Sequence, residues 1–112
     1  MNQAISTSGV TDFQMQVYEA CKDIPEGMVS TYKYLAEAIG CNSSRAVGQA
    51  LKRNPFAPEV PCHRVIKTDL SLGGFFGVDT GPEVERKKKR LEAEGIIFAD
   101  GKLEDKSLIY SF

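Results

Sequence analysis

Apolar residues recur at three- and four-residue intervals directly after Thr11 and Asp12: Phe13, Val17, Cys21 and Ile24. That spacing collects them on one face and predicts a first helix. Pro25-Glu26-Gly27 stops it with turn residues. A second helix is expected to start at Ser30 or Thr31, either of which can cap it. Its inner face would carry Tyr34, Leu35, Ala38 and Ile39, and Gly40 would end it. Asn42, Ser43 and Ser44 offer caps for a third helix over about 43–53, with Val47, Ala50 and Leu51 inward. Asn54-Pro55 closes it, because proline disfavours helix in the residue before it. Two short helices joined by a Gly-containing turn make a helix-turn-helix pattern, which many small helical domains share.

The second half is less periodic. Residues 55–61 hold three prolines and read as an extended loop. Val60 to Ile66 is apolar but interrupted by Cys62-His63-Arg64. Residues 69–81 contain four glycines and the adjacent Phe75 and Phe76, which suggests a loop with a short hairpin. Glu83 to Glu94 is a charged helix stopped by Gly95, and the tail from Ile96 to Phe112 alternates weakly around the turn dipeptide Asp100-Gly101.

Composition narrows the function. The chain has 112 residues, 42 % apolar and 26 % charged, which suits one domain with one modest core. Fourteen Lys and Arg against fifteen Asp and Glu leave a net charge of −1, so nucleic acid is not held by overall charge, though a local basic patch stays open. No apolar run approaches the roughly 20 residues that cross a bilayer, which predicts no membrane partner. The N-terminal stretch MNQAISTSGV lacks the charged and apolar regions of a secretory signal. Residues 1–10 are expected to be a flexible terminus and 11–112 the domain. An intracellular, cytoplasmic setting keeps the three cysteines reduced, and an odd number argues against a disulfide framework. A single histidine rules out a His-rich metal site, so no metal and no cofactor are expected.

That histidine directly follows a cysteine, in Pro61-Cys62-His63-Arg64. A thiol attacks as thiolate, and a neighbouring base assists its formation. Adjacent residues in an extended segment point to opposite sides. Cys62 and His63 would therefore need a kinked backbone or a bridging water to communicate. The alternative is a buried structural cysteine beside a histidine whose ring is satisfied by a backbone carbonyl.

Pro61-Cys62-His63-Arg64-Val65 resembles the active-site motif of the O6-alkylguanine-DNA alkyltransferases, also called methylated-DNA–protein-cysteine methyltransferases. Arg45-Ala46-Val47-Gly48 and Asn54-Pro55 stand in that family's order upstream, Val29 to Ala36 is similar to its helix-turn-helix opening, and Leu91 to Gly95 is similar to its Leu-rich segment ending in Glu-Gly. The resemblance covers about residues 11–96. It implies a mainly α, winged-helix-like domain with a helix-turn-helix and a small β element. It implies irreversible transfer of an alkyl (methyl) group from O6-alkylguanine in double-stranded DNA to Cys62, once per molecule.

By position, the resemblance makes Cys62 the acceptor, His63 its base through a water, and Glu94 the carboxylate that orients His63. Tyr32 would donate to guanine N3 as the base leaves. Arg45 would enter the duplex from the minor-groove side and fill the gap left by the extruded base. Ala46 would let the helix approach the groove closely, and Asn54 would hydrogen-bond the recognition helix to the active-site loop. Val60, Phe75 and Phe76 would line the base pocket, Phe76 standing near the place of a small hydroxyl residue and so altering alkyl-group preference. For Asn54 the competing reading is a plain helix-terminal Asn before Pro.

The Arg86–Arg90 run (RKKKR) reads as a solvated helix face between glutamates rather than a DNA patch. Cys21 reads as core, and Cys41 has no catalytic neighbour in sequence. Glu92 competes with Glu94, which is preferred because it directly precedes Gly95. Many family members carry a further N-terminal domain, for which about ten residues stand here. Two rival functions remain. One is an alkyltransferase-like lesion sensor working with nucleotide excision repair proteins; such sensors lack the acceptor cysteine that Cys62 provides. The other is a winged-helix-like transcription factor that prefers a defined sequence. A monomer associated with the nucleoid or nucleus is expected.

Overall fold

Each of the first three helices begins at a hydroxyl side chain. In the computed structural model, which describes residues 9–56, 59–72 and 82–112 without the side chain of Glu83, α1 spans Asp12–Cys21, α2 Tyr32–Ala38 and α3 Ser44–Lys52. Thr11 Oγ1 accepts the Gln14 N–H, and Gln14 Oε1 accepts the Thr11 N–H in return, a reciprocal capping box. Thr31 caps α2 through the Tyr34 N–H, and Ser43 caps α3 through the Ala46 N–H. Of the two candidate caps for α2, Thr31 is the one used.

The three helices enclose one core. Val17, Tyr18, Cys21, Leu35, Val47, Ala50 and Leu51 are buried in it, and the Tyr18 hydroxyl donates to the Ala50 carbonyl at 2.7 Å. The inner face of α2 differs from expectation: Leu35 and Ala36 are buried, while Tyr34 and Ala38 face solvent. A helix of only two turns packs α1 and α3 from one side, and Ala36 is small enough to sit at that contact. Mainly helical architecture with a helix-turn-helix of α2 and α3 is therefore present, and among the described residues no helix is long and apolar enough to cross a membrane.

The strands are short and decisive. β1 (Ser30–Thr31) pairs in parallel with β2 (Val65–Ile66), Ser30 opposite Val65 and Thr31 opposite Ile66. This pairing, absent from the sequence expectations, sets the start of α2 beside the Cys62-His63-Arg64 segment. The tail supports the other edge of β1. Tyr110 N–H donates to the Val29 carbonyl, Val29 N–H donates to that of Leu108, and the Ser30 hydroxyl donates to that of Tyr110. β3 (Phe98–Ala99) and β4 (Lys102–Leu103) form the expected hairpin around Asp100-Gly101. Both turn residues have positive φ, +52° and +78°, the backbone that a two-residue hairpin matching strand twist requires.

α4 (Pro82–Ala93) covers a second cluster of Val29, Ile66, Leu91, Ile96 and Leu103. Its end is a Schellman motif. Ile96 N–H reaches back to the Leu91 carbonyl and Gly95 N–H to that of Glu92, with Gly95 at φ +88°. Glu94 is thereby the last residue before the chain reverses. A Cβ on Gly95 would meet no atom within 4 Å, so Gly95→Ala should cost about 1 kcal/mol from backbone strain alone. Urea denaturation reads it; an unchanged midpoint would contradict the strain. The glycine-rich segment 73–81 lies outside the described residues, and with it the expected second hairpin.

Candidate active site

The Cys62 segment is not extended. Asn54 terminates the path from α3 by folding the loop onto itself: its Oδ1 accepts the Phe56 N–H and its Nδ2 donates to the Val60 carbonyl, both at 2.9 Å. Phe56 then sets its ring edge-on to Tyr18, 5.7 Å between centroids. Pro61 takes φ −82° and ψ 67°, and Cys62 N–H donates to the Val60 carbonyl at 2.8 Å. That is an inverse γ-turn. A single 3₁₀ turn, Cys62–Arg64, follows before β2. Proline supplies the fixed φ, and the tight turn replaces the alternation of a strand with about three residues per turn. Of the two devices the sequence allowed, a kinked backbone is present.

The turn buries His63 and leaves Cys62 half-buried. His63 Nε2 lies 2.7 Å from Glu94 Oε2. Burial works to raise the Glu94 carboxyl, but hydrogen bonds from Arg64 and His63 outweigh it and hold the group below the usual carboxylate range. Glu94 is thus an acceptor only, and Nε2 carries the proton. Nδ1 keeps its lone pair, is buried, and takes no hydrogen bond from the described protein atoms. Burial lowers the histidine below its ordinary value, against the pull of Glu94, so the ring is neutral at pH 7. The competing reading, a ring satisfied by a backbone carbonyl, does not hold.

Glu94 has further partners. Arg64 Nε reaches Oε1 at 2.9 Å and Nη2 reaches Oε2 at 3.1 Å, while Nη1 donates to the Ile24 carbonyl at 3.0 Å. Gly27 N–H approaches Oε1 at 3.5 Å. Glu92 is exposed, whereas Glu94 is half-buried against His63.

Lys87 corrects the reading of the basic run. It is 1 % exposed, donates to the Val65 carbonyl at 2.8 Å and lies 5.8 Å from the Tyr32 ring centre, within cation–π reach. Burial pulls it down to about 8, and Cys62 and Cys21 act in the opposite sense. It still carries its charge near neutrality. Arg86, Lys89 and Arg90 are exposed, as a solvated face requires. The signal was present in the sequence: Val84, Lys87 and Leu91 follow helical spacing, which turns Lys87 inward on the buried stripe. The energetic need for a partner, met by Val65 and Tyr32, only the folded chain reveals.

Tyr32 opens α2 and is half-buried; a Cβ on Gly48 of α3 would touch its ring at 3.9 Å. It thus lies between α3 and Lys87, and Lys87 bridges it to β2. Arg45 is exposed in the first turn of α3, with Ala46 half-buried behind it. Val60 has its side chain in the core, and its carbonyl faces Asn54. Cys21 is fully buried and pushed up to about 12, first by burial and then by Cys62. Phe75 and Phe76 lie outside the described residues. A cleft between α4 and the hairpin, lined by Lys67, Leu72, Val84, Lys88 and Phe98, contains none of the predicted site residues that are among the described ones.

A pH effect follows from the buried neutral imidazole. The unfolded chain takes up a proton at about 6.5, which folded His63 resists. The resulting stability is complete above that value and declines as pH falls below it toward the folded value. Thermal melts between pH 7 and 5 should slope downward, and His63→Gln should flatten part of the slope; an equal slope in the variant would contradict this.

Comparison with known proteins gives a consistent result. The family described as 6-O-methylguanine DNA methyltransferase, DNA binding domain, matches residues 12–96. A methylated-DNA–protein-cysteine methyltransferase of Pyrobaculum aerophilum is 49 % identical over 77 residues, 69 % of this chain and 48 % of that protein. The chain spans about half the length of the curated relatives it matches. Among solved structures, Mycobacterium tuberculosis OGT in complex with DNA matches with a TM-score of 0.68 and 42 % identity over 76 % of this chain and 49 % of that one. S. pombe Atl1, in complex with damaged DNA containing O6-carboxymethylguanine, matches with a TM-score of 0.78 and 33 % identity over 89 % of this chain and 95 % of that one.

Proposed function

The chain belongs to the 6-O-methylguanine DNA methyltransferase family through its DNA-binding domain, and from that premise we propose that it repairs O6-alkylguanine in double-stranded DNA by moving the alkyl group to Cys62. The observation that carries this reading is the division of labour on His63. Nε2–H is held by an ionised Glu94, and Nδ1 remains a buried lone pair on the residue next to the half-buried thiol. In this scheme a water passes the Cys62 proton to Nδ1. The sulfur then attacks the alkyl carbon, forming an S–C bond as the C–O6 bond breaks. The electron pair leaves with guanine, which takes a proton at N3 from Tyr32. The Nδ1 proton then leaves to solvent and solvent returns one to Tyr32, so the net change is the alkyl group on sulfur and the thiol proton on guanine. Lys87, 5.8 Å from the Tyr32 ring centre, puts a buried positive charge where the leaving base becomes negative.

The helix-turn-helix would present α3 to the minor groove, with Arg45 filling the space of the extruded base and Ala46 allowing close approach. Asn54 would hold α3 and the Val60 carbonyl together at the pocket wall, with Phe75 and Phe76 completing it. The partner is duplex DNA, the acting species a monomer, the place the nucleoid or nucleus, and no metal or cofactor takes part. Arg45→Ala should slow transfer from duplex by about tenfold, one 1.4 kcal/mol step, and leave transfer from free O6-alkylguanine base unchanged. Equal loss on both substrates would remove the finger role. The direct test is the mass of the Cys62 peptide after incubation with duplex containing O6-methylguanine: one added methylene is expected, and none at stoichiometric protein would overturn the reading. The match to Atl1 across nearly all of that chain supports a second reading, a lesion sensor that leaves the base alkylated and engages nucleotide excision repair.

A further inference from the structure

We propose that Arg64 is a positioning residue for this site: its guanidinium orients the Glu94 carboxylate for His63 and offsets part of its charge. The inference rests on the alkyl-transfer reading for its purpose but on separate contacts for its substance. Arg64 grips the carboxylate side-on, Nε to Oε1 at 2.9 Å and Nη2 to Oε2 at 3.1 Å. Such a fork fixes the plane of a carboxylate as well as its distance. The guanidinium is itself anchored, because Nη1 donates to the Ile24 carbonyl at 3.0 Å. Glu94 sits where α4 reverses its chain, and Arg64 and His63 share the turn below it. A single rigid cation therefore ties the turn after α1, the active-site turn and the end of α4 together.

The charge balance is the second strand. An unpaired carboxylate beside an imidazole stabilises the imidazolium. Here the side chains of Arg64 and Glu94 are only 16 % and 13 % exposed, so the arginine offsets part of the field that Glu94 places on His63. The groups acting on His63 are Glu94, which favours its charged form, and Arg64 and Arg90, which oppose it. Arg90 is exposed and screened. Lys87, on the same helix, is acted on by Cys62 and Cys21 and not by His63. Removing Arg64 should therefore strengthen His63 as a base while loosening its orientation. Those two effects have opposite signs, and a merely structural arginine would not produce the first.

The chain has one histidine, so its imidazole proton signal is unambiguous in an NMR titration. Arg64→Gln should raise the His63 midpoint by about one pH unit, the size of a lost neighbouring charge, and slow methyl transfer from O6-methylguanine duplex. Arg64→Lys keeps the charge without the fork; it should hold the midpoint within about 0.3 unit, far below the shift of a lost charge, and still slow transfer. An unchanged or lowered midpoint in Arg64→Gln overturns the proposal. If that variant does not fold, Arg64→Lys decides: a raised midpoint or full transfer rate overturns it. Wild-type protein that transfers no methyl group would sink the transferase reading, while the titration still judges the hold of Arg64 on the pair.

Discussion

Cys62→Ser is expected to abolish alkyl transfer while leaving the fold and DNA binding intact. The substitution replaces one sulfur by oxygen on a half-buried side chain. The chemical consequence is much larger. His63 is held neutral by burial and is a weak base; it can assist a thiol, whose ordinary pKa is about 8.5, far better than an alcohol. No other cysteine can substitute. Cys21 is fully buried and its thiol is pushed up to about 12. Cys41 is committed to the turn before α3, where its Sγ accepts the Ser43 N–H at 3.3 Å. Intact mass after incubation with alkylated duplex checks the prediction, with methylation of the wild type and none of the variant. If the chain is instead a sensor, wild type and variant behave alike: both bind the lesion and both leave it alkylated.

The second large effect is on stability. Glu94→Ala removes the acceptor shared by His63, Arg64 and the Gly27 N–H. The Arg64 guanidinium, 16 % exposed, and the His63 ring, 6 % exposed, are then left inside without it. Stranding a buried partner in this way costs about 3 kcal/mol. A domain of this size has roughly 5–15 kcal/mol in all, so the melting temperature should drop by about 10 °C or more. The loss depends on pH with a definite sign. Because the folded Glu94 carboxyl lies below its ordinary value, its contribution is present above an unfolded pKa of about 4.3 and vanishes as pH falls through the folded one. Melting curves of wild type and variant should therefore converge below about pH 4. A gap that persists unchanged as pH falls well below that value would mean that Glu94 stabilises by packing, not by its charge. Transfer should fall with stability at neutral pH, since His63 loses the group that keeps its proton on Nε2.

The residues that matter were unequally legible. The capping hydroxyls Thr11, Thr31 and Ser43 and the reversal at Gly95 are local, decided by side chains within a few positions of the backbone groups they satisfy. The hairpin at Asp100-Gly101 is local for the same reason. Tyr34 was misplaced because α2 is too short for periodicity to distinguish its inward stripe from a neighbouring one. Lys87 was misread because composition weighs a lysine by its charge, whereas helical spacing and a waiting carbonyl decided its burial. Arg64 stood inside the recognised motif, yet nothing local says that its fork reaches 30 residues along the chain.

By itself, then, the sequence determined the helices with their starts and stops, the turn chemistry, and the family signature around Cys62, because each depends on neighbours a few residues apart. Only the tertiary structure decided how the site is wired. The parallel pairing of β1 with β2 sets Tyr32 beside the Cys62 turn. The kink at Pro61 and the end of α4 bring His63 and Arg64 onto the Glu94 carboxylate. The physical reason is that a buried charge must find its partners wherever the packed chain places them, and no local rule specifies that place.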